Sequence, residues 1–308
     1  MLRKQPPEIA LVTYRQPDGT LRLGDDYMAL IAHPNLPKEA VLSLQPVAWD
    51  DPTVVWDSFA AIVLQSPWNY HHPGITGRFL AWAQSLAHRP LWNPYDVIRW
   101  NIDKAYVREA LQRFPALSAI PSVWFDPADR PNIADVMRRQ GWNSAILKPR
   151  VGASGFQIEV IDSPDDAKRL HDALQHRIAR DGGILQPFLP QVVESGEWSL
   201  IFLRDRHHTL SFSHAVLKHP ASGAFLVQKG WKEMLAPPDA ALQMACDWLD
   251  AASAITDSSL LYARVDGVMV GDRFLLMELE LMEPGLSLAA AGPNGIQRYI
   301  DALSTLIH

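Results

Sequence analysis

The chain has 308 residues, long enough for two or three domains with a substantial core, and its 48% apolar and 20% charged residues are typical of a globular protein. The formal net charge of -6, without any basic run, gives nucleic-acid binding no electrostatic support. Cys246 is the only cysteine, which excludes a disulfide within the chain and a cysteine-based zinc site and fits a reducing cytosol. Neither the apolar segment of a signal peptide nor a run of ~18 apolar residues is found. A soluble, cytoplasmic protein that binds neither nucleic acid nor membranes is therefore expected.

The first part of the chain alternates predicted strands and helices. Apolar runs and helical spacing predict five elements, at Ile9–Thr13, Asp25–Ala32, Ala40–Trp49, Ala60–Gln65 and Thr76–Ala87. The second and last of these are helices and the others strands, which predicts a small α/β domain with a mainly parallel sheet over residues 1–95. Because ligands bind at the carboxyl ends of parallel strands, Gln65–His72 is a candidate substrate edge. An aromatic loop broken by proline is the alternative.

The rest of the chain divides into a central region, residues 96–185, and a last region, residues 186–308. In the central region the patterns predict helices at Ile102–Arg113, Asp135–Gln140 and Asp165–Arg180, and strands at Ala145–Lys148, Phe156–Ile161 and Gly183–Leu189. In the last region they predict strands at Trp198–Leu203 and Thr209–Val216, a helix at Asp239–Ala254 and then a hairpin. The sequence shows no internal repeat and no low-complexity linker.

The hairpin lies in the stretch of residues 261–284, and its register follows from its apolar faces, since a slip of one residue moves every side chain to the other face. A two-residue loop would pair Val270 with Arg273 and turn the apolar face of the second strand to the wrong side. A three-residue loop pairs Val270 with Phe274 and brings the apolar faces together. The sequence therefore predicts the three-residue loop.

The same register places charged side chains opposite one another on the other face of the hairpin. Asp266 then lies opposite Glu278, and Arg264 lies opposite Glu280. Like charges directly opposite destabilise a sheet, so a cation is expected between them. A hard divalent ion with oxygen ligands is the natural candidate. The alternative is a solvated polar face on a half-exposed hairpin.

A glycine-containing turn, KPRVGASGF, joins two predicted strands over residues 148–156. A Walker loop is excluded because its Gly-Lys-Ser/Thr opens a helix. A strand lysine followed by a turn of small residues still suits a phosphate, since the ammonium supplies charge and the turn supplies open amides. A structural hairpin is the alternative interpretation.

The order of these features along the whole chain resembles that of the ATP-grasp superfamily. Its members clasp ATP between two sheet-bearing subdomains that follow an N-terminal α/β domain. Their metal motif is an Asp, a Glu about a dozen residues later, an Asn two residues beyond and a Pro soon after. The matching positions here are Asp266, Glu278, Glu280 and Pro284, with Glu280 keeping an oxygen ligand and adding a negative charge.

The resemblance implies an ATP-grasp fold of α/β class, α+β in its ATP-binding part, with a central lid subdomain and a C-terminal subdomain that carries the metal site. ATP and Mg²⁺ are the implied cofactors, with Mn²⁺ as an alternative ion. Lys104, on its predicted helix, and Lys148 would contact the ATP phosphates. Ser154 and Gly155 would belong to the loop that covers those phosphates.

The remaining candidates also take their roles from the resemblance. The segment whose backbone would bond the adenine edge comprises Gln186, Pro187, Phe188 and Leu189. Glu194 or Glu197 would bind the ribose hydroxyls, and the spacing leaves both open. Arg264, assisted by Lys218, would stabilise the transferred phosphate, since phosphoryl transfer depends mostly on positioning and charge neutralisation.

Within the superfamily, the segments QSPWNYHH, KPRVGASGF, GEWSL and ELELMEPGLSL resemble most closely the branch that includes the D-cycloserine-forming cyclo-ligase. That branch often carries Arg and Asp where this chain has Gln65 and Asn69, so two charges are absent from the substrate edge. Lys229–Lys232 is a further candidate substrate loop, because its glycine and cations suit a carboxylate. An exposed turn is the alternative.

The resemblance implies an ATP-dependent carboxylate–amine, or related carboxylate–nucleophile, ligase that releases ADP and phosphate through an acyl phosphate. Its substrates would be a small carboxylate and a small amine, amino-acid-like in kind. An ATP-grasp kinase that leaves the phosphate on its acceptor is one alternative, and a non-catalytic nucleotide-binding protein is another. The sequence gives neither the substrates nor the oligomeric state.

Overall fold

A computed structural model describes residues 7–33, 43–153, 155–222, 224, 227 and 230–307. The N-terminal elements are β1 (Glu8–Thr13), α1 (Asp25–Ile31), β2 (Ser43–Ala48), β3 (Ala61–Leu64), α2 (Thr76–Ser85) and β4 (Leu91–Trp92). The four strands form one sheet in the order β2-β1-β3-β4, and every pairing is parallel, as the strand–helix alternation predicts. The first residues of the predicted second strand lie outside the described residues.

The central elements form an antiparallel sheet with helices on it. They are α3 (Tyr95–Asn101), α4 (Tyr106–Arg113), β5 (Val123–Phe125), α5 (Ile133–Gln140), β6 (Ala145–Lys148), β7 (Glu159–Ile161), α6 (Pro164–Arg169), α7 (His171–Asp181) and β8 (Gly183–Pro187). The strands follow the order β5-β8-β6-β7 and have their own apolar core with α5, α6 and α7. Two of these helices begin with a side-chain N-cap. The side chains of Asn132 and Ser163 each accept a hydrogen bond from the backbone amide three residues later.

The C-terminal elements form a second, longer antiparallel sheet. They are α8 (Gln191–Glu194), β9 (Glu197–Arg204), β10 (Leu210–His219), β11 (Trp231–Met234), α9 (Asp239–Thr256), β12 (Tyr262–Val270), β13 (Arg273–Glu280) and α10 (Leu288–Ser304). The strand order is β11-β10-β9-β12-β13. One face of this sheet packs on α9, and the other shares an apolar core with β1, β3 and α10. No described helix has the length and apolar character that a membrane span needs.

Three predicted elements differ from the observed ones. The predicted helix Ile102–Arg113 is wrong at its start, because α3 ends at Asn101 and α4 begins at Tyr106, which leaves Lys104 in the turn between them. Residues 93–96, which the sequence predicts as a loop before this helix, already enter α3 at Tyr95. The predicted helix Asp165–Arg180 is broken between α6 and α7 at Leu170, whose side chain packs on the core of the central sheet.

The hairpin of β12 and β13 has the predicted pairing but not the predicted turn. Val270 pairs with Arg273 across a two-residue turn, so the three-residue loop is wrong. A β-bulge between Asp266 and Gly267 then restores the register, and Asp266 still lies opposite Glu278. The extra residue lies in the second strand instead of in the loop. The buried face of that strand is therefore Phe274 and Leu276 before the bulge and Leu279 after it, while Met277 lines the cavity described below.

Close packing beside the bulge depends on Gly267. A Cβ atom there would lie 2.2 Å from the Phe274 ring and 2.6 Å from the carbonyl oxygen of Leu275. We expect Gly267→Ala to destabilise the protein by about 1–3 kcal/mol, the usual cost of overpacking. Urea unfolding measures this, with Gly77→Ala in α2 as the matched control, since a Cβ at Gly77 meets nothing within 4 Å. Equal stability of the two variants would contradict the role given to Gly267.

The division of the chain at residues 95 and 185 remains a proposal. The three sheets fall mainly within the three proposed regions, although β8 crosses the second boundary. Both α3 and α4 border the core beneath the C-terminal sheet, to which Val97, Tyr106 and Val107 contribute.

Candidate active site

A cavity of about 350 Å³ lies where residues of all three sheets meet. Most of the sequence-predicted site residues line it, namely Lys104, Lys148, Gly155, Gln186, Pro187, Phe188, Leu189, Glu197, Lys218, Arg264, Asp266, Glu278 and Glu280. Ser154 lies outside the described residues. Glu194 is exposed on α8 and is not part of the cavity wall, whereas Glu197, at the start of β9, is buried in it.

Lys104 reaches this cavity because α3 and α4 cover the free edge of β13. The Asn101 side chain bonds the carbonyl of Leu279 and the amide of Leu281, and the Tyr106 hydroxyl bonds both backbone groups of Leu279. An uncovered strand edge would leave these backbone groups unpaired. The turn between the two helices is thereby held beside Glu278, and Lys104 Nζ lies 2.9 Å from Glu278 Oε1.

A second set of ion pairs surrounds Asp266. Arg264 Nη2 lies 2.7 Å from Asp266 Oδ2 and 2.6 Å from Glu280 Oε1, and its Nη1 donates to the carbonyl oxygen of Gly285. Lys218 Nζ lies 3.1 Å from Glu197 Oε1 and 3.5 Å from Asp266 Oδ1. The carboxylates proposed for a metal and the cations proposed for phosphates are thus bonded to one another.

These contacts set the charges of the site. Burial would raise the pKa of Asp266, but Arg264 and Lys218 hold it at about 2. Burial raises the pKa of Glu280 well above its usual range, with Glu278 acting in the same direction and Arg264 opposing. Burial would lower the pKa of Lys104, but the ion pair with Glu278 raises it.

Lys148 differs from Lys104, Lys218 and Arg264, each of which pairs with a carboxylate of the cavity. Within the described part of the chain, no carboxylate oxygen lies within 4.0 Å of its ammonium group, so its charge faces the cavity without an ion pair. Burial lowers the pKa of Lys148 to about 8, with Lys104 acting in the same direction and Glu278 opposing. An anion that entered the cavity would find this group available.

The donor set suits a hard divalent ion. Asp266, Glu278 and Glu280 offer carboxylate oxygens, which Mg²⁺ prefers. Among the described residues, no three His, Cys, Asp or Glu side chains form a ready metal cluster, because the cations hold these carboxylates. The described lining carries seven Asp or Glu and five Lys or Arg side chains. Burial raises the pKa of four of these acids, Asp26, Glu197, Glu280 and Glu283, and a bound divalent ion would favour their ionised forms.

An apolar slot lies in the cavity beside the segment predicted to bond adenine, since Ile146 pairs with Gln186 and Val192 bonds Leu189. Its side chains, which sequence reasoning did not single out, are Ile120, Ile146, Ile158, Val192 and Met277. The Phe188 amide already donates to the Ser144 carbonyl, and the Leu189 carbonyl already accepts from Val192. A flat apolar ring fits such a slot, with the remaining polar groups at its edge.

The end of the cavity nearest the N-terminal sheet is polar. The residues there include Asp25, Asp26, Gln65, Lys232, Glu283 and Ser287. Gln65 accepts a bond from the Tyr299 hydroxyl (2.9 Å), which orients its amide. Asn69 is turned away, because its side chain accepts from the Trp49 indole and is not part of the cavity wall. Of the predicted substrate edge Gln65–His72, which follows β3, Gln65 and Trp68 line the cavity.

Comparisons with known proteins agree with this architecture. The model of the family "D-cycloserine synthetase DcsG, N-terminal domain" matches residues 9–93. The cycloserine biosynthesis protein DcsG of Streptomyces lavendulae is 27% identical over 279 residues, which cover 83% of this chain and 86% of that protein. The crystal structure of D-cycloserine synthetase DcsG superposes with a TM-score of 0.79 at 24% identity, covering 98% of this chain and all of that one.

A second solved structure extends the likeness. D-alanine–D-alanine ligase from Bacillus anthracis, complexed with ATP, gives a TM-score of 0.64 at 14% identity and covers 98% of this chain and 96% of that one. These likenesses establish the ATP-grasp fold for this chain.

Proposed function

We propose that the chain is an ATP-dependent carboxylate–amine ligase that acts through an acyl phosphate and releases ADP and phosphate. The observation that carries the proposal is the meeting of four cations, Lys104, Lys148, Lys218 and Arg264, with three facing carboxylates in one cavity beside an apolar slot. The slot suits the adenine ring, and the cations suit the triphosphate. Relatives named for D-cycloserine and D-alanine support amino-acid-like substrates.

In the first step a carboxylate oxygen of the substrate attacks the γ-phosphorus, and the bond from that phosphorus to the bridging oxygen of ADP breaks. In the second step the amine nitrogen attacks the acyl carbon, the carbon–oxygen bond to phosphate breaks, and the nitrogen loses a proton. Arg264 and Lys218 would neutralise the charge that develops on the transferred group. Asp266, Glu278 and Glu280 would hold Mg²⁺, which supplies charge neutralisation at the phosphates when bound.

The residues for the ribose and for covering the phosphates are assigned from which candidates line the cavity. Of the two candidates for the ribose hydroxyls, we propose Glu197, because it lies in the cavity wall and Glu194 does not. The turn around Gly155 would cover the phosphates and keep water from the acyl phosphate. The cytoplasmic location stays a prediction.

Product analysis tests the proposal. Purified protein with Mg²⁺ and ATP is screened against paired carboxylates and amines, including D-amino acids and their O-substituted derivatives. We expect equal amounts of ADP and phosphate, formed only when the carboxylate is present. Release of AMP contradicts the acyl-phosphate route, whereas phosphate retained on the acceptor supports the kinase alternative. Tight ATP binding without turnover over the whole panel supports a non-catalytic protein.

The affinity for ATP should depend on pH through Lys148. Because the pKa of this lysine is about 8 and a bound phosphate would raise it, affinity is constant well below pH 8 and falls as the pH rises above it. The slope approaches about tenfold per pH unit, the limit for one linked proton. Calorimetry with Mg²⁺ and ATP from pH 7 to 9.5 measures it, and Lys148→Gln should bind weakly with a flat profile. A wild-type profile that is equally flat contradicts the assignment.

A further inference from the structure

Arg150 lies in the middle of the glycine turn, between Lys148 and Gly155, yet it does not line the cavity. Its guanidinium group turns to Asp103, with Nε donating to Oδ1 (3.0 Å) and Nη2 to Oδ2 (2.6 Å). The remaining Nη1 donates to Asp126. The two carboxylate oxygens of Asp103 therefore make a bidentate contact with the planar guanidinium group. The ammonium group of a lysine cannot make this contact.

The two carboxylates do not contribute equally to this arrangement. The Asp126 side chain is 60% exposed, so its ion pair contributes little. The Arg150 and Asp103 side chains are 18% and 34% exposed, and their contact is bidentate. We call the pair of Arg150 and Asp103 the Arg150 clamp.

The clamp joins the two segments that carry the phosphate-binding candidates. Asp103 directly precedes Lys104 in the turn between α3 and α4, and its Oδ1 also accepts from the Ala105 amide (2.8 Å). The Lys104 amide donates to the Arg150 carbonyl (2.9 Å), and Lys104 Nζ donates to the carbonyl oxygen of Gly152. The turn that carries Lys104 and the turn that follows Lys148 are therefore fixed against each other by one side-chain pair and two backbone acceptors.

Packing restricts the arginine to this direction. Gly182, just before β8, has a φ of +69°, and a Cβ atom there would lie 2.8 Å from Arg150 Cδ and 2.8 Å from the Phe125 carbonyl oxygen. The stem of Arg150 therefore lies directly on the backbone at the base of the central sheet. A side chain held by packing at its stem and by two hydrogen bonds at its end is preorganised.

We propose that Arg150 is a positioning residue for nucleotide binding, which acts through Asp103 to set Lys104 and the glycine turn at the spacing that the ATP phosphates require. The inference rests on the proposed function. It assigns Arg150 no contact with ATP. Loss of the clamp leaves Lys104, Lys148 and the metal carboxylates in the chain but lets the two turns move apart.

The test compares Arg150→Met, Arg150→Lys, Asp103→Asn and the double variant of Arg150→Met with Asp103→Asn. We expect Arg150→Met and Asp103→Asn each to raise the dissociation constant and the KM for ATP about 10-fold or more, as loss of a supporting partner commonly does. At saturating ATP, kcat per active site should change less than about 3-fold, since binding returns the turns to their places. Arg150→Lys should lie between wild type and Arg150→Met, and the double variant should be no worse than the worse single one.

The matched control is Arg138→Met, which removes an arginine of α5 that is 44% exposed and pairs with Asp135. It should bind ATP like wild type. Unchanged ATP affinity in both single variants, or additive losses in the double variant, overturns the proposal. A fall in kcat per active site without a change in KM also overturns it, and if Arg150→Met does not fold, Asp103→Asn decides. Failure of the wild-type protein to bind ATP at all contradicts the proposed function instead.

Discussion

Glu278→Gln is expected to lower turnover by at least about 100-fold, because even partners one step removed from a metal commonly contribute 10–100-fold. The carboxylate lies opposite Asp266 on the hairpin and bonds Lys104, so it faces both the proposed ion and a proposed phosphate cation. Gln keeps the size of the side chain and an oxygen acceptor for Lys104 but removes the negative charge. Coupled measurement of ADP and phosphate release at saturating substrates gives the rate.

The fold should survive this substitution, since the Glu278 side chain is 29% exposed and its neighbours Glu280 and Glu283 also raise the pKa of Lys104. A thermal unfolding curve close to that of wild type checks this. Glu109→Gln is the control, because Glu109 is a half-exposed carboxylate on α4 that bonds Arg113 and the Trp100 indole and does not line the cavity. Unchanged turnover in Glu278→Gln would be fatal to the metal assignment.

Removal of Arg264 is expected to affect both catalysis and stability. The side chain is 13% exposed and bonds Asp266, Glu280 and the Gly285 carbonyl. Arg264→Met leaves Glu280 without its arginine and Asp266 with Lys218 as its remaining cation, so we expect a loss of about 3–5 kcal/mol in the free energy of unfolding. Loss of charge at the transferred phosphate should lower kcat by about 100- to 1000-fold, the usual effect of removing one transition-state donor.

Arg264→Lys separates the two effects. The ammonium keeps the charge near Asp266 but cannot bond Asp266, Glu280 and Gly285 together, so the stability loss should be smaller while kcat remains low. Urea unfolding and single-turnover phosphate release measure the two quantities. Wild-type kcat in Arg264→Lys would show that charge alone suffices and that the geometry of the guanidinium group is not needed.

The charged face of the hairpin could be predicted from sequence because strand periodicity is strict. The pairings of Asp266 with Glu278 and of Arg264 with Glu280 are both confirmed. The predicted three-residue turn is wrong because an extra residue restores the pairing register equally well in a loop or in a β-bulge. The choice between loop and bulge depends on the close contact of Gly267 with Phe274. This contact joins two strands and is not visible in the sequence pattern.

The position of Lys104 is a second feature that the sequence pattern did not predict. Its segment has helical spacing, so one helix was predicted, and the break after α3 has no local signal as strong as proline or glycine. The break is explained by the edge of β13, which Asn101 and Tyr106 cover from either side of the turn. Contacts between residues this far apart in the chain are not visible in periodicity. The parallel N-terminal sheet, in contrast, follows from local alternation alone.

The mutual ion pairs of the site have a consequence for the order of events. A phosphate that draws Lys104 away leaves Glu278 with an uncompensated charge, and a divalent ion that draws Asp266 and Glu280 away does the same to Arg264. Either partner arriving by itself therefore breaks ion pairs that it cannot replace. Nucleotide and ion arriving together exchange every pair for a new one. The cavity should therefore bind the complex of triphosphate and cation more tightly than it binds the free triphosphate or the free cation.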